Sequence, residues 1–275
     1  MKLKIYGTGA SAGFPAMWCS CENCQTARKL GGKNLRRRTC SCIDDKILID
    51  LGPDILGMEY TDGLPLYQIH HILLTHSHMD HWHIDDFEHI NIPKSGIVGP
   101  ENLEIYLNQR AKDKYDYVNS SHKALEETIH FHLLEHMKSF MIEDYKITPI
   151  QTIHTRKEEC YIYVIEHEEK TLLYAHDSIK FPESTFEGVK QFKYDMVVFD
   201  CTNLDIPTGP NTTHMSVMDN HELEMKMREA GCLKEGARIV ITHFNHGTNP
   251  THERVSKVAE QYGYIAAYDG ITLEI

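Results

Sequence analysis

Short apolar runs, several alternating with polar residues, dominate the hydrophobic pattern of this chain and read as strands rather than long helices. Lys2 to Tyr6 alternates Leu3 and Ile5 with lysines and predicts a first strand. Cys40 to Ile43 and Lys46 to Asp50 predict a hairpin turning at Asp44-Asp45, and the run His71-Ile72-Leu73-Leu74 a buried strand. Ile97 to Pro100 reads as a strand and turn. Phe140 to Ile153 predicts two strands, Cys160 to Glu166 and Thr171 to Tyr174 a hairpin, and Met196 to Asp200 and Arg238 to Thr242 two more strands. Helical spacing predicts a short helix at Pro65 to Gln68 and helices over Trp82 to Ile90, Glu101 to Lys112, Pro182 to Phe192, Ser216 to Ala230 and Pro250 to Tyr262. A last hairpin is expected around Tyr268-Asp269-Gly270, and the basic stretch Lys29 to Arg38 is expected to be a solvated loop. Strands in two clusters, with helices between and after, fit one α/β domain spanning residues 1–275, built of two sheets flanked by helices. The polar, aromatic segment near 112–140 is expected to be a lid-like or subunit-contact insertion, which leaves a homodimer as the assembly to look for.

Composition changes this picture little. Hydrophobic residues make up 41% and charged residues 25% of 275, near globular averages, so disordered and fibrous classes are excluded. A formal net charge of −12 argues against long nucleic acid as a partner and leaves a small substrate as the expectation. No run is long and apolar enough for a membrane span, and no export signal is visible at Met1 to Tyr6, so the expected location is cytoplasmic.

The candidate chemistry is concentrated in Thr75-His76-Ser77-His78-Met79-Asp80-His81. In a loop leaving a strand, alternate residues point the same way, so His76 and His78 can grip one ion, with Asp80 and His81 beside a second. His154, Asp177 and His243 each stand at the end of a predicted strand, and ligands converge from strand ends that share a sheet edge. Cys19, Cys21 and Cys24 are spaced for a zinc ion, provided a fourth ligand comes from elsewhere. Other candidates are weaker. The loop Gly7-Thr8-Gly9-Ala10-Ser11-Ala12-Gly13 follows a strand but has the wrong spacing for a dinucleotide fingerprint. His130-x-His132 reads as surface, and Cys40 and Cys42 as small buried residues.

The long Thr-His-x-His-x-Asp-His run resembles the metal-binding signature of the metallo-β-lactamase-fold hydrolases. With Gly-Thr-Gly, Trp18-Cys19-x-Cys21-x-x-Cys24, His154, Asp177, Thr213-His214-Met215-Ser216 and Thr242-His243-Phe244-Asn245-His246 in that order, the chain resembles the phosphodiesterase branch, near the cyclic-phosphate phosphodiesterases that accompany carbon–phosphorus lyase. It is more distantly similar to ribonuclease Z and to pyrroloquinoline-quinone biosynthesis protein B. The resemblance implies a four-layer αβ/βα sandwich and a dinuclear site of zinc or manganese, or of iron. One metal would take His76, His78 and His154, the other Asp80, His81 and His243, with Asp177 bridging. It further implies a structural zinc on Cys19, Cys21, Cys24 and His246, and His214 as the proton donor to a departing alkoxide. The implied activity is hydrolysis of a small phosphodiester, cyclic phosphates included, by water deprotonated between the metals, with Asp80 central to it. Two alternatives stay open: a tRNA 3′-processing type of ribonuclease, and a non-catalytic metal-binding protein of cofactor biosynthesis.

Overall fold

The computed structural model describes residues 1–89, 100, 102–119 and 128–275. Two seven-stranded sheets lie face to face. The first has the order β14-β1-β2-β3-β4-β5-β6, with β1 Lys2–Gly7, β2 Cys40–Ile43, β3 Ile47–Ile49, β4 His71–Leu73, β5 Leu103–Leu107, β6 Ile129–Leu133 and β14 Ile271–Glu274. The second has the order β13-β12-β11-β10-β9-β8-β7, with β7 Phe140–Ile142, β8 Tyr145–Thr152, β9 Cys160–His167, β10 Lys170–Ala175, β11 Tyr194–Asp200, β12 Leu233–Thr242 and β13 Ile265–Ala266. Each sheet begins antiparallel and ends parallel: β3-β4-β5-β6 in the first, β10-β11-β12-β13 in the second. Parallel neighbours need crossovers, and those crossovers put helices on the outer faces.

Three cores follow from strand alternation. Between the sheets lie Leu3, Ile5, Ile47, Ile49 and Leu73 from the first and Tyr163, Ile165, Leu172, Tyr174, Met196 and Val198 from the second. The opposite side chains, such as Tyr6, Leu48 and Ile72, pack outward under α2 (Ile55–Asp62) and α3 (Gln109–Val118). On the far side Ile162, Val164, Leu173, Val197, Phe199 and Ile241 pack under α4 (Glu183–Val189), α5 (Val217–Glu229) and α6 (His252–Glu260). Strands buried on both faces read as near-continuous apolar runs, which is why their positions were legible. This is the four-layer αβ/βα arrangement expected from the sequence.

Several expectations need correction. Glu101 to Lys112 is not one helix: Leu103–Leu107 is strand β5, and α3 begins at Gln109. Leu103, Tyr106 and Leu107 satisfy a helical period, but Leu103, Ile105 and Leu107 also alternate, and those three enter the outer core. Asn108 then accepts from the Ala111 N–H at 2.7 Å and starts the helix behind the strand. Trp82 to Ile90 is a 3₁₀ segment over Ile84–His89, with Trp82 in an isolated bridge to Leu51; Ile90 and Ile97 to Gly99 lie outside the described residues. Lys29 to Arg38 is not all solvated. The preceding helix α1, Glu22–Leu30, enters the stretch, and Arg36 is buried, donating to the carbonyls of Pro250 and Ala267 at 2.9 Å and to Thr8 Oγ1 at 2.8 Å. The final hairpin is absent as such, because β13 pairs with β12 and β14 with β1 in the other sheet. Of the segment 112–140, the described residues comprise most of α3, the edge strand β6 and the approach to β7. His130 and His132 on β6 both contact Glu104, at 2.9 and 2.5 Å.

Candidate metal centre

The parallel strands of both sheets, with β8 running in the same sense as β10 two strands away, send their C-terminal ends toward one edge, and the candidate residues stand on those ends. His76 to His81 follow β4, His154 follows β8, Asp177 follows β10, and His243 follows β12. Gly52, after β3, permits the packing of the loop: a Cβ there would meet the Asp80 carbonyl at 2.4 Å. Asp50, Asp177 and His243 adopt left-handed backbone, with φ of 63°, 45° and 64°. For residues other than glycine such conformations cost roughly 1–3 kcal/mol each and persist where surrounding structure imposes them, characteristically at functional sites.

Asp177 is the hub. Its Oδ2 lies 2.7 Å from His81 Nε2, 3.6 Å from His76 Nε2 and 3.9 Å from His154 Nε2. Its Oδ1 lies 2.8 Å from His243 Nδ1 and 3.7 Å from His214 Nδ1. His154 Nε2 is 3.1 Å from His78 Nδ1, and Asp80 Oδ2 is 3.4 Å from His81 Nε2 and 3.9 Å from His243 Nε2. The structure thus brings His76, His78, Asp80, His81, His154, Asp177 and His243 into one cluster. His76, His78 and His154 form one tight group of ligand atoms, all within 4.8 Å of one another. A second tight group consists of His81, Asp177, His243 and a residue the sequence reading passed over, His176.

Outer contacts aim these rings. His81 Nδ1 donates to Asp50 Oδ2 at 2.8 Å, and Asp50 also accepts from the Thr75 N–H at 2.8 Å and its hydroxyl at 3.0 Å. His154 Nδ1 donates to the Thr213 carbonyl at 3.1 Å, and His243 Nδ1 lies 2.8 Å from Thr202 Oγ1. Fixing one ring nitrogen in this way orients the other as a donor atom for a metal. The inward atoms are left with nothing to bond: His76 Nε2, His81 Nε2, His243 Nε2 and Asp177 Oδ1 are buried without hydrogen-bond partners. The short approach of His81 Nε2 to Asp177 lacks hydrogen-bond geometry. Buried polar atoms in folded proteins are normally paired, so this convergence marks a position for a cation. Imidazole and carboxylate donors together fit a divalent metal such as zinc or manganese.

The electrostatics agree. Burial alone would raise Asp177, but His243, His81 and His154 around it hold it well below the usual carboxylate range. Burial pushes His76 well down and opposes the charged form of His81 and His243 too, but the carboxylates around those two, Asp177 with Asp50 and Asp80 at His81 and with Asp200 and Asp80 at His243, together outweigh it and hold both well up. His214, on the loop before α5, also opposes burial: Asp200, 2.8 Å from its Nδ1, raises it. Asp200 was not singled out in the sequence, although it ends β11 as Asp177 follows β10. It is fully buried and accepts from the N–H groups of Thr202 at 2.9 Å and Met215 at 3.1 Å. A cavity of about 900 Å³ opens over the centre, with Asp80, His154, Asp177, His214 and His243 in its lining and Gln151, Arg156, Asn211 and Asn245 as its polar walls.

A separate cluster forms where α1 meets the loop after β12. Cys19 and Cys24 Sγ lie 3.9 and 3.8 Å from His246 Nδ1, and the ligand atoms of Cys19, Cys21, Cys24 and His246 fall within 4.8 Å of one another. Those separations suit a four-coordinate zinc, whose donors sit about 2.0–2.3 Å from the ion. Hydrogen bonds from the Cys24 backbone and Cys19 pull the Cys21 thiol down to about 6, and burial pushes Cys24 up to about 11.

A family model described as Beta-lactamase superfamily domain matches residues 45–268. The sequence finds no match among curated proteins. Among solved structures, the chain is similar to a diphosphatase from the PhnP family, at 22% identity and a TM-score of 0.74, covering 100% of this chain and 98% of that one. It is similar to Zn(2+)-bound PqqB from Methylobacterium extorquens, at 20% identity and a TM-score of 0.75, over 100% of both chains. It is also similar to the short form of human tRNase Z, at 16% identity and a TM-score of 0.67, covering 100% of this chain and 99% of that one. Identities at this level speak for a shared fold and not for a shared substrate.

Proposed function

Because the chain belongs to the Beta-lactamase superfamily domain family and has that family's metallo-β-lactamase fold, we propose that it is a metal-dependent hydrolase of small phosphodiesters, cyclic phosphates included. The observation that carries this reading is the convergence of unpaired, buried imidazole nitrogens on Asp177 at the floor of an open cavity. His76, His78 and His154 would hold one divalent cation and Asp80, His81 and His243 a second, with Asp177 available to both. Two cations in such a site supply a nucleophile at neutral pH and a clamp on the attacking and leaving oxygens of an in-line displacement.

The chain's own residues would do the rest. Asp50 and the Thr213 carbonyl hold His81 and His154 in the tautomers that present Nε2. His214 lines the cavity with Nδ1 committed to Asp200, so its other nitrogen is the one available to protonate a departing alkoxide. Asp200 favours the protonated imidazole that this donation requires. Cys19, Cys21, Cys24 and His246 would hold a structural zinc that ties α1 to the loop after β12.

The test is a substrate panel. The metal-replete protein should hydrolyse bis(p-nitrophenyl) phosphate and small cyclic phosphodiesters, and lose that turnover in Asp80→Ala. Inertness toward every diester would overturn the reading, and selective cleavage of precursor tRNA would replace it with the processing-nuclease alternative.

A further inference from the structure

His176 has no role in the reading above, yet it sits inside the centre. It ends the path of β10 one residue before Asp177, with 1% of its surface exposed. Its Nε2 is 3.2 Å from Thr39 Oγ1, and its ring stacks on Tyr174 with planes 11° apart. Those contacts fix the ring and leave Nδ1 on the Asp177 side, 3.7 Å from Asp177 Oδ1. Nδ1 has no hydrogen-bond partner. A buried donor or acceptor left unpaired is destabilising, and a wholly apolar side chain in the same space would avoid that cost. The ligand atoms of His81, His176, Asp177 and His243 lie within 4.8 Å of one another, and all four side chains are buried. Three imidazoles and a carboxylate are a donor set that zinc, cobalt and iron accept. Asp80 reaches the same group only at 3.4 Å from His81 and 3.9 Å from His243.

We propose that His176 is a direct ligand of the second metal position, offering Nδ1 alongside His81, Asp177 and His243. The proposal rests on the reading of this cluster as a metal centre and adds one protein donor to it. Asp80 then closes the position from the cavity side. An additional imidazole biases the position toward zinc, cobalt or iron over manganese, which favours oxygen donors.

The experiment titrates Co²⁺ into metal-stripped full-length wild type and His176→Phe, which keeps a flat ring against Tyr174 and removes the donor. Uptake is counted by native mass spectrometry, and the ligand field is read from the visible absorption bands; circular dichroism reports folding. Should His176→Phe fail to fold, His176→Leu carries the same comparison. Beyond the ion taken by the cysteine cluster, expected is one Co²⁺ bound as in wild type and a second weakened by at least about 100-fold, more than the usual effect of an outer-contact residue, with altered bands for that last ion. A folded variant that binds both ions with unchanged affinity and bands overturns this proposal alone. A loss smaller than about 100-fold with unchanged bands fits an outer contact, places His176 outside the coordination sphere and also overturns it. Wild type that takes no Co²⁺ beyond the one on the cysteine cluster overturns the metal-centre reading and this proposal together.

Discussion

His214 meets the cavity with one nitrogen committed. Its Nδ1 faces Asp200 Oδ2 at 2.8 Å, and that carboxylate is buried and held by two backbone N–H groups, so it cannot turn away cheaply. If His214 is the proton donor, His214→Ala should slow esters with alkyl leaving groups by about 10²–10⁴-fold, and p-nitrophenyl esters far less, since p-nitrophenolate leaves unprotonated. Equal losses for both ester types would reduce His214 to a positioning residue. At this scale the sequence was informative where residue types were crowded, as in the His76–His81 run, and silent where a single residue supports another. Asp50 and Asp200 were visible as strand-terminal aspartates, in the same position relative to a strand as His154 and His243, but only the fold shows them gripping His81 and His214. His176 was hidden by its neighbour: beside Asp177 it looked like a strand-end polar residue, and its placement depends on Thr39, 137 residues away in sequence.

Elements were legible to the extent that one periodicity excluded the other. Strands β9, β10 and β11 of the second sheet, largely buried on both faces, were read to within about two residues of their ends, whereas Leu103 to Leu107 fits both a helical and a strand period, and the sheet edge decided in favour of the strand. The stretch Lys29 to Arg38 misled because its cations are paired by distant partners: Arg36 reaches Pro250 and Ala267, and Arg38 pairs with Asp54. Asp54 accepts from the Arg38 N–H, Nε and Nη2 at 2.8, 2.9 and 2.5 Å, and joins the start of α2 to the approach to β2. Burial alone would raise Asp54, but the bonds from Arg38 win and lower it. A carboxyl whose folded value lies below its unfolded value, about 3.9, contributes stability that is full above that pH and is lost as pH falls through the lower folded value. Asp54→Asn should therefore cost about 1–3 kcal/mol at pH 7 in denaturant unfolding, with the gap to wild type closing below about pH 4. A gap that does not change with pH would mean the ion pair contributes nothing through its charge.

At the scale of the molecule, the two sheets repeat one plan, an antiparallel start and a parallel end, and the candidate ligands gather where the strand ends of both halves meet. No helix among the described residues is long and apolar enough to cross a membrane. The cysteine cluster lies across this plan, joining the segment before α1 to His246, three residues beyond His243. Cys21→Ser should leave one fewer tightly bound zinc per chain and a lower Tm, because a structural zinc adds to folding free energy directly, while the proposed centre around Asp177 should still fill when metal is supplied. An unchanged zinc count and Tm would show the three cysteines to be plain thiols. Turnover is expected to depend on cations held around Asp177. That dependence is tested most directly by stripping the protein, titrating Zn²⁺ or Mn²⁺ back, and following diester hydrolysis against bound metal in wild type and Asp177→Asn. Stripped protein should show no turnover, wild type should rise to a plateau at two ions per chain beyond the cysteine-bound zinc, and Asp177→Asn should not recover. Turnover by the stripped protein, or full recovery in Asp177→Asn, would contradict that dependence.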